Sequence, residues 1–272
     1  MPHFICPICK GELTQSGNAF QCRNGHCYDR AKSGYINLLM SQHKKEKRHG
    51  DDKAMVLART RFLEAGHYHI LLDALLGVVK RHAKENCAFL DLGCGEGFYS
   101  DRIYRALAAD GLHISLTGID ISKEAVKAFS RRSREAALAV ASTFKLPVKS
   151  GNYDIAMSVF APFDPAEVRR VVKPGGIFIR AYPLERHLLS LKKLIYDQAY
   201  ENKPPAKSPA GFTLEERLAL KGMIHLNSHE DITNLFMMTP YFYKTSRSGQ
   251  EKLLAVTQLA TEIEFGVDVY RR

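Results

Sequence analysis

Four of the six cysteines fall within the first 27 residues, and their spacing is that of metal ligands. Cys6-Pro7-Ile8-Cys9 is a knuckle, two thiolates that reach one ion from one tight turn. Cys22 and His26 complete the pattern Cys-x2-Cys-x12-Cys-x3-His. Three sulfurs and one imidazole nitrogen form the closed tetrahedral shell of a structural zinc, leaving no position open for chemistry. Cys27, beside His26, is the rival fourth ligand. A disulfide is disfavoured in a reducing compartment. Free surface thiols would not explain such a concentration, with Gly11 and Gly25 placed for tight turns.

The second chemical signal is Leu90-Asp91-Leu92-Gly93-Cys94-Gly95-Glu96-Gly97, which joins a short apolar strand to a helix. Glycines at alternate positions let backbone approach a ligand closely. A dinucleotide fold prefers Gly-x-Gly-x-x-Gly, with a helix N-terminus facing an anionic pyrophosphate. Here the spacing is Gly-x-Gly-x-Gly, and Asp91 and Glu96 would repel an anion. A cationic ligand fits better, and S-adenosylmethionine (SAM), with its ammonium and sulfonium, is one. Asp120 ends the next strand, where a carboxylate accepts hydrogen bonds from ribose hydroxyls. Ser142 follows the third strand, where an adenine edge would lie.

Ser158 to Phe163 ends the fourth strand, where a methyl acceptor should dock. The run Phe160-Ala161-Pro162-Phe163 has no amide or acid ahead of its proline, which disfavours exocyclic amines. No cysteine lies there to attack C5 of a pyrimidine. A ring nitrogen suits it better, with Phe160 or Phe163 stacked on the base; either ring is equally consistent with plain core.

These residues need a scaffold, and the pattern supplies one. Strands at 87–92, 114–119, around 140, 153–160 and 176–182 alternate with helices at 98–109, from 122 to about 137, and 165–172. That order predicts a parallel sheet with helices on both faces. Helical periodicity also marks 54–65, 69–83, 186–200, 228–237 and 248–260, while 241–245 and 261–270 read as strands. The run at 43–53, HKKEKRHGDDK, reads as an exposed linker. With Lys+Arg 39 against Asp+Glu 29 the formal charge is +10, so a polyanionic partner is expected. Lys44, Lys45, Lys47, Arg48, Lys127, Arg131, Arg132 and Arg134 are candidates for phosphate contacts. Hydrophobic residues at 45% allow a sizeable core. No apolar run approaches a membrane span, and no secretion signal opens the chain, so a cytoplasmic protein is expected.

From end to end the chain resembles a bacterial 23S ribosomal RNA guanine-N1 methyltransferase. The resemblance rests on the Cys/His signature, Gly34-Tyr35-Ile36-Asn37-Leu38-Leu39, Arg61-Phe62-Leu63-Glu64-Ala65-Gly66-His67-Tyr68, the glycine loop with Tyr99, Val172-Lys173-Pro174-Gly175-Gly176 and Arg186-His187-Leu188. It implies a Rossmann-like class I SAM-dependent methyltransferase fold. That fold is a mixed seven-stranded sheet with helices on both faces, preceded by a small zinc-ribbon-like domain. The corresponding division is 1–40 for the zinc module, 41–84 for a basic linker and helices, and 85–272 for the methyltransferase domain.

The resemblance also implies that Tyr68, Tyr99, Ser100 and His187 contact SAM, alongside Asp91, Gly93, Gly95, Gly97, Asp120 and Ser142. A homodimer is implied, with zinc modules that grip an RNA hairpin and no role for DNA or membrane. The acceptor would be N1 of a guanine in the hairpin-35 loop, at about position 745, since unpaired loop bases are the ones accessible to readout. Guanine N1 carries a proton, and Asp164 and His187 are the candidates to remove it. Two other readings compete: a small-molecule methyltransferase with a zinc lid, and a non-catalytic RNA-binding protein on a relic SAM fold.

Overall fold

A computed structural model describes residues 4–40 and 50–272. The chain opens with three short strands, β1 (Thr14–Ser16), β2 (Ala19–Gln21) and β3 (Cys27–Asp29), paired antiparallel in that order. Next come β4 (Ile36–Asn37), α1 (Lys53–Glu64), α2 (His69–His82), β5 (Cys87–Leu92), α3 (Phe98–Ala109), β6 (Ile114–Asp120) and α4 (Lys123–Arg132). The rest is β7 (Ala137–Val140), β8 (Tyr153–Val159), α5 (Pro165–Val171), β9 (Val172–Pro183), α6 (Leu189–Ile195), β10 (Thr213–Leu226), α7 (His229–Met237), α8 (Arg247–Leu254) and β11 (Leu259–Arg271).

The main sheet has the order β10-β11-β9-β8-β5-β6-β7-β4. Strands β5 to β9 run parallel, and β10 and β11 pair antiparallel at one edge. A sheet of seven strands was expected, and this one has eight. The eighth, β4, comes from the end of the zinc module and pairs parallel with β7. The interior strands are buried on both faces. Phe89, Ile155, Met157 and Ile179 pack on one side with α2, α3 and α4, and Leu90, Ala156, Phe178 and Tyr270 on the other with α5. Side-chain caps start the helices: Asp52 accepts from Met55 N at 3.0 Å, Ser122 from Ala125 N, and Asp164 from Ala166 N ahead of Pro165.

Several boundaries depart from the sequence pattern. The helix after Ser122 ends at Arg132, because Ser133 turns extended and Ala137 begins β7. In 186–200 only Leu189–Ile195 is helical. The alternation in 241–245 is a compact turn, in which Lys244 N and Thr245 N both donate to Tyr241 O and bury Tyr241. Helix α8 stops at Leu254 because the chain must extend into β11. Strand β10 was not read from the sequence, since its outer face carries Glu215, Arg217 and Lys221 like a solvated loop. No single helix among the described residues is long and apolar enough to cross a membrane.

The N-terminal module presents Cys6, Cys9, Cys22 and His26 to one point, with their ligand atoms all within 4.8 Å of one another. His26 Nδ1 lies 3.5 Å from Cys6 Sγ and 3.3 Å from Cys22 Sγ, and Cys9 Sγ lies 3.6 Å from Cys22 Sγ. Thiolates about 2.3 Å from a tetrahedral zinc sit about 3.8 Å apart, so this cage has zinc's size; a disulfide at about 2 Å does not match. Cys27 is exposed and outside the cluster, which leaves His26 as the fourth ligand. Tyr28 OH lies 3.1 Å from Cys6 Sγ and supplies an outer hydrogen bond of the kind that holds a metal-bound thiolate.

The module is joined to the sheet by more than β4. Phe4 bridges Val148, Ile5 N donates to Pro147 O at 2.8 Å, and Phe4, Cys6 and Leu13 share a core with Leu146 and Val148. A structural zinc contributes on the order of 10 kcal/mol to such a small fold. Chelation should therefore open residues 4–40 to protease and lower the melting temperature, while SAM affinity changes less than about threefold. Limited proteolysis with parallel calorimetry checks this; loss of SAM binding together with the module would contradict it.

Candidate active site

One cavity of about 810 Å³ opens where the parallel strands end, and it has two chemically distinct halves. The first half is built by the loop after β5. Gly93, Gly95 and Gly97 all have positive φ, but they serve different ends. A Cβ on Gly93 would overlap Ala161, and one on Gly97 would overlap the Phe129 ring. Gly95 faces open space, with only Arg59 Nη1 at 3.5 Å from where a Cβ would stand. Gly93 and Gly97 thus let the loop pack, and Gly95 leaves room for a ligand.

Around that loop stand Asp91 and Glu96, both buried, and the half-buried Asp120. Burial raises Asp91 from the usual carboxylate value to about 7; the Ser100 hydroxyl, donating at 2.6 Å, works against that, and Asp120 and Glu96 add repulsion. Burial likewise raises Glu96, with Arg59 opposing it, and raises Asp120, with backbone N–H bonds from Ser122 and Gly95 opposing it. Those bonds are 2.7 Å and 2.9 Å long. Glu96 Oε1 and Tyr99 OH are buried and have no hydrogen-bond partner among the described residues. A crowd of acids with an orphaned acceptor and an orphaned hydroxyl suits a ligand bearing positive charge and hydroxyls, as SAM does.

Of the residues anticipated as SAM contacts, Tyr68, Asp91, Gly93, Gly95, Tyr99, Asp120, Ser142 and His187 line this cavity. Gly97 and Ser100 stand behind it, one packed on Phe129 and the other bonded to Asp91. Asp51 and Arg59 line the cavity but were not singled out from the sequence. They pair at 2.5 Å, with Arg59 also 3.9 Å from Glu96. Asp51 lies in the run read as an exposed linker, yet its carbonyl accepts from Ser122 Oγ at 2.6 Å and it is half-buried. Lys44, Lys45, Lys47 and Arg48 of that run lie outside the described residues. Arg132, a candidate for phosphate, is instead spent inside the protein, pairing with Glu64 at 2.5 Å and donating to Glu96 O.

The second half is aromatic. Phe160 follows β8 with φ +56°, a strained setting for a bulky residue, and the residue is 43% exposed at the cavity. It lies 6.3 Å from the His187 ring at an interplanar angle of 21°. Phe163 does not share this place: half-buried, it packs edge-on against Phe178 beneath Arg180, against the core. Thr143 Oγ1 donates to Pro162 O at 2.8 Å and Ser158 Oγ to Ala161 O at 3.0 Å, which fixes the loop carrying Phe160.

Neither candidate for removing the guanine proton is placed for it. Asp164 caps α5 and does not line the cavity. His187 is pushed down to about 3 by burial, reinforced by Lys192, so it stays neutral. Its Nδ1 accepts from Glu264 N at 3.2 Å, which leaves the proton on Nε2, facing Tyr68 OH at 3.4 Å. Both nitrogens are thereby occupied.

The glycines make a sharp test. Gly95→Ala should weaken SAM binding at least tenfold, with a stability loss of only about 1 kcal/mol from the positive φ. Gly97→Ala, which collides with Phe129, should cost more than about 2 kcal/mol and lower expression of folded protein. Isothermal titration and thermal melts separate the two outcomes.

Residues 4–47 match the zinc-ribbon family described as "RlmA, N-terminal", and residues 83–236 match a family described as "Methyltransferase domain". A Streptomyces fradiae protein named 23S rRNA (guanine(748)-N(1))-methyltransferase is 36% identical over 190 residues, covering 68% of this chain and 65% of that protein. A Micromonospora griseorubida protein, provisionally named 23S rRNA (guanine-N(1)-)-methyltransferase, is 32% identical, covering 70% of this chain and 69% of its own length. The chain thus spans about two thirds of the length of these relatives. A crystal structure of a functionally unknown protein from Deinococcus radiodurans R1 shares the fold, with TM-score 0.50 and 16% identity over 74% of this chain and 85% of that one. With its Cys3His cage, its acid-lined glycine loop and these relatives, the chain belongs to the 23S rRNA (guanine-N1)-methyltransferase family.

Proposed function

We propose that the protein transfers the methyl group of SAM to N1 of a guanine in the hairpin-35 loop of 23S ribosomal RNA, at about position 745, in the cytoplasm. RNA enzymes reach such a base in an unpaired loop or by flipping it out. The observation that carries this reading is the union, in one cavity, of an acidic half for the cationic cofactor and an exposed aromatic face for a flat base. The names of the relatives support the choice of base and atom. One of them is named for position 748, so the neighbouring guanine is the alternative target. The protein acts as a homodimer whose zinc modules help to grip the hairpin, and the surplus of ten positive charges favours the polyanion.

Bound SAM supplies an electrophilic methyl group carried on sulfonium. The chain itself binds and orients. Asp91, Asp120 and the Gly95 backbone hold the cofactor, with Tyr68, Tyr99, Ser142 and His187 around it, and Phe160 stacks on the guanine so that N1 faces the methyl group in line. Neutral His187 keeps Phe160 upright without taking a proton.

Methyl transfer from labelled SAM to 23S ribosomal RNA lacking the modification, followed by mapping of the labelled nucleotide, tests the reading. Label at guanine N1 in hairpin 35 is expected, and its position distinguishes the two neighbours. Tight SAM binding with transfer to neither RNA nor assembling subunits overturns it. Phe160→Ala should lower kcat/KM for RNA about ten- to a hundredfold, the range for a lost base stack of about 1–3 kcal/mol, and leave SAM affinity unchanged.

A further inference from the structure

Behind the aromatic half of the cavity lies a lysine that nothing above uses. Lys192 is on α6 and fully buried, at 0% exposure. Its Nζ donates to Asn202 Oδ1 at 2.6 Å and to Tyr200 O at 3.1 Å, and sits 4.7 Å from the centre of the Tyr200 ring and 5.5 Å from that of Tyr241. No ion pair neutralises it among the described residues. Tyr200, Asn202 and Tyr241, which wrap it, all line the cavity. Asn202 is itself fixed, donating to Leu184 O at 2.8 Å and His187 O at 3.2 Å, so its oxygen can point only at the ammonium.

We propose that Lys192 is an electrostatic positioning residue for the acceptor, a buried positive charge one layer behind the base that favours the N1-deprotonated guanine. This rests on the guanine-N1 reading above. The balance is simple: the N1 proton leaves to solvent, and the electron pair it leaves on N1 and O6 is the nucleophile. As the N1–carbon bond forms, the carbon–sulfur pair goes to sulfur. Oriented charge in a site shielded from water stabilises such an anion far better than solvent does. The role also explains why no side chain need accept the proton, given that both His187 nitrogens are engaged.

Other charges facing Lys192 do not cancel it. Glu201, between Tyr200 and Asn202 in the chain, acts at longer range and is exposed; Lys244 adds positive charge beside Tyr196. The hydroxyls of Tyr196 and Tyr241 are raised by burial and stay neutral, and His187 is neutral for the same reason. Burial also lowers Lys192, while the π faces and two acceptors favour its charged form.

The test is the pH dependence of single-turnover methylation of a hairpin-35 RNA at saturating SAM, in wild type, Lys192→Met and Lys192→Arg. In wild type the rate should rise with pH and level off as bound N1 ionises. Lys192→Met should move that limb alkaline by about one pH unit, the size of one nearby charge, and slow transfer about tenfold at pH 7. Lys192→Arg should restore the wild-type limb. A titration of 15N1-labelled target guanine bound with S-adenosylhomocysteine should show the same displacement without turnover. If Lys192→Met does not fold, Lys192→Gln, which keeps one bond to Tyr200 O, replaces it. An unmoved limb in the neutral variants, with guanine N1 still the methylated atom, overturns the role of Lys192 alone. Methylation at another atom in wild type overturns the functional reading as well.

Discussion

The whole site depends on an unfavourable crowding of like charge. Asp91, Glu96 and Asp120 converge at the ends of β5 and β6, and Arg59 is the guanidinium that faces them in the cavity. Burial raises all three carboxyls, and repulsion adds to it, from Asp120 and Glu96 on Asp91 and from Asp51 on the other two. Such an arrangement lowers the stability of the ligand-free protein and is relieved by a cation. The fold holds it in place with directed bonds: Ser100 on Asp91, the Gly95 and Ser122 amides on Asp120, and Arg132 on the carbonyl of Glu96.

The acceptor half mirrors this logic with the opposite sign. Lys192 is the buried cation, the neutral aromatic and histidine side chains shield it, and Phe160 is held in a strained backbone setting at the boundary of the two halves. The acidic pole binds the cationic donor and the basic pole favours the deprotonated acceptor, so each reactant is held in its reactive charge state. The zinc module stands apart from that chemistry. It extends the same sheet through β4, so its place relative to the cavity is set by strand pairing and a shared core rather than by a free tether.

What could be read beforehand follows from how local the signal is. The zinc ligands occupy one short stretch, and the cage of Cys6, Cys9, Cys22 and His26 forms as their spacing predicts. The glycine loop and Asp120 were legible because strand ends and turn glycines are fixed by short-range sterics. Arg59 and Asp51 were not, because one lies mid-helix and the other in a charged run, and only the fold of Gly50 against Ser122 brings them inward. Lys192 lies in the stretch 186–200, whose helical periodicity does not tell which of its lysines is buried. Its burial comes from Tyr200, Asn202 and Tyr241, which approach from later in the chain. The edge strand β10 was hidden by its charged outer face, and the turn at 241–245 mimicked a strand because alternation over five residues does not distinguish the two.

The central claim is that the carboxylate crowd is the seat of a cationic cofactor, and proton linkage tests it directly. Free Asp91 holds its proton up to about 7, against 3.8 for an ordinary aspartate. A bound ammonium or sulfonium pulls that value down, so SAM binding near neutral pH must expel a proton, and affinity must weaken as pH falls below about 7. Titration calorimetry of SAM at pH 6.5–7 in two buffers of different ionisation enthalpy measures this. The account predicts a buffer-dependent heat corresponding to net proton release, abolished in Asp91→Asn. Heats that are the same in both buffers, or proton uptake, would contradict it.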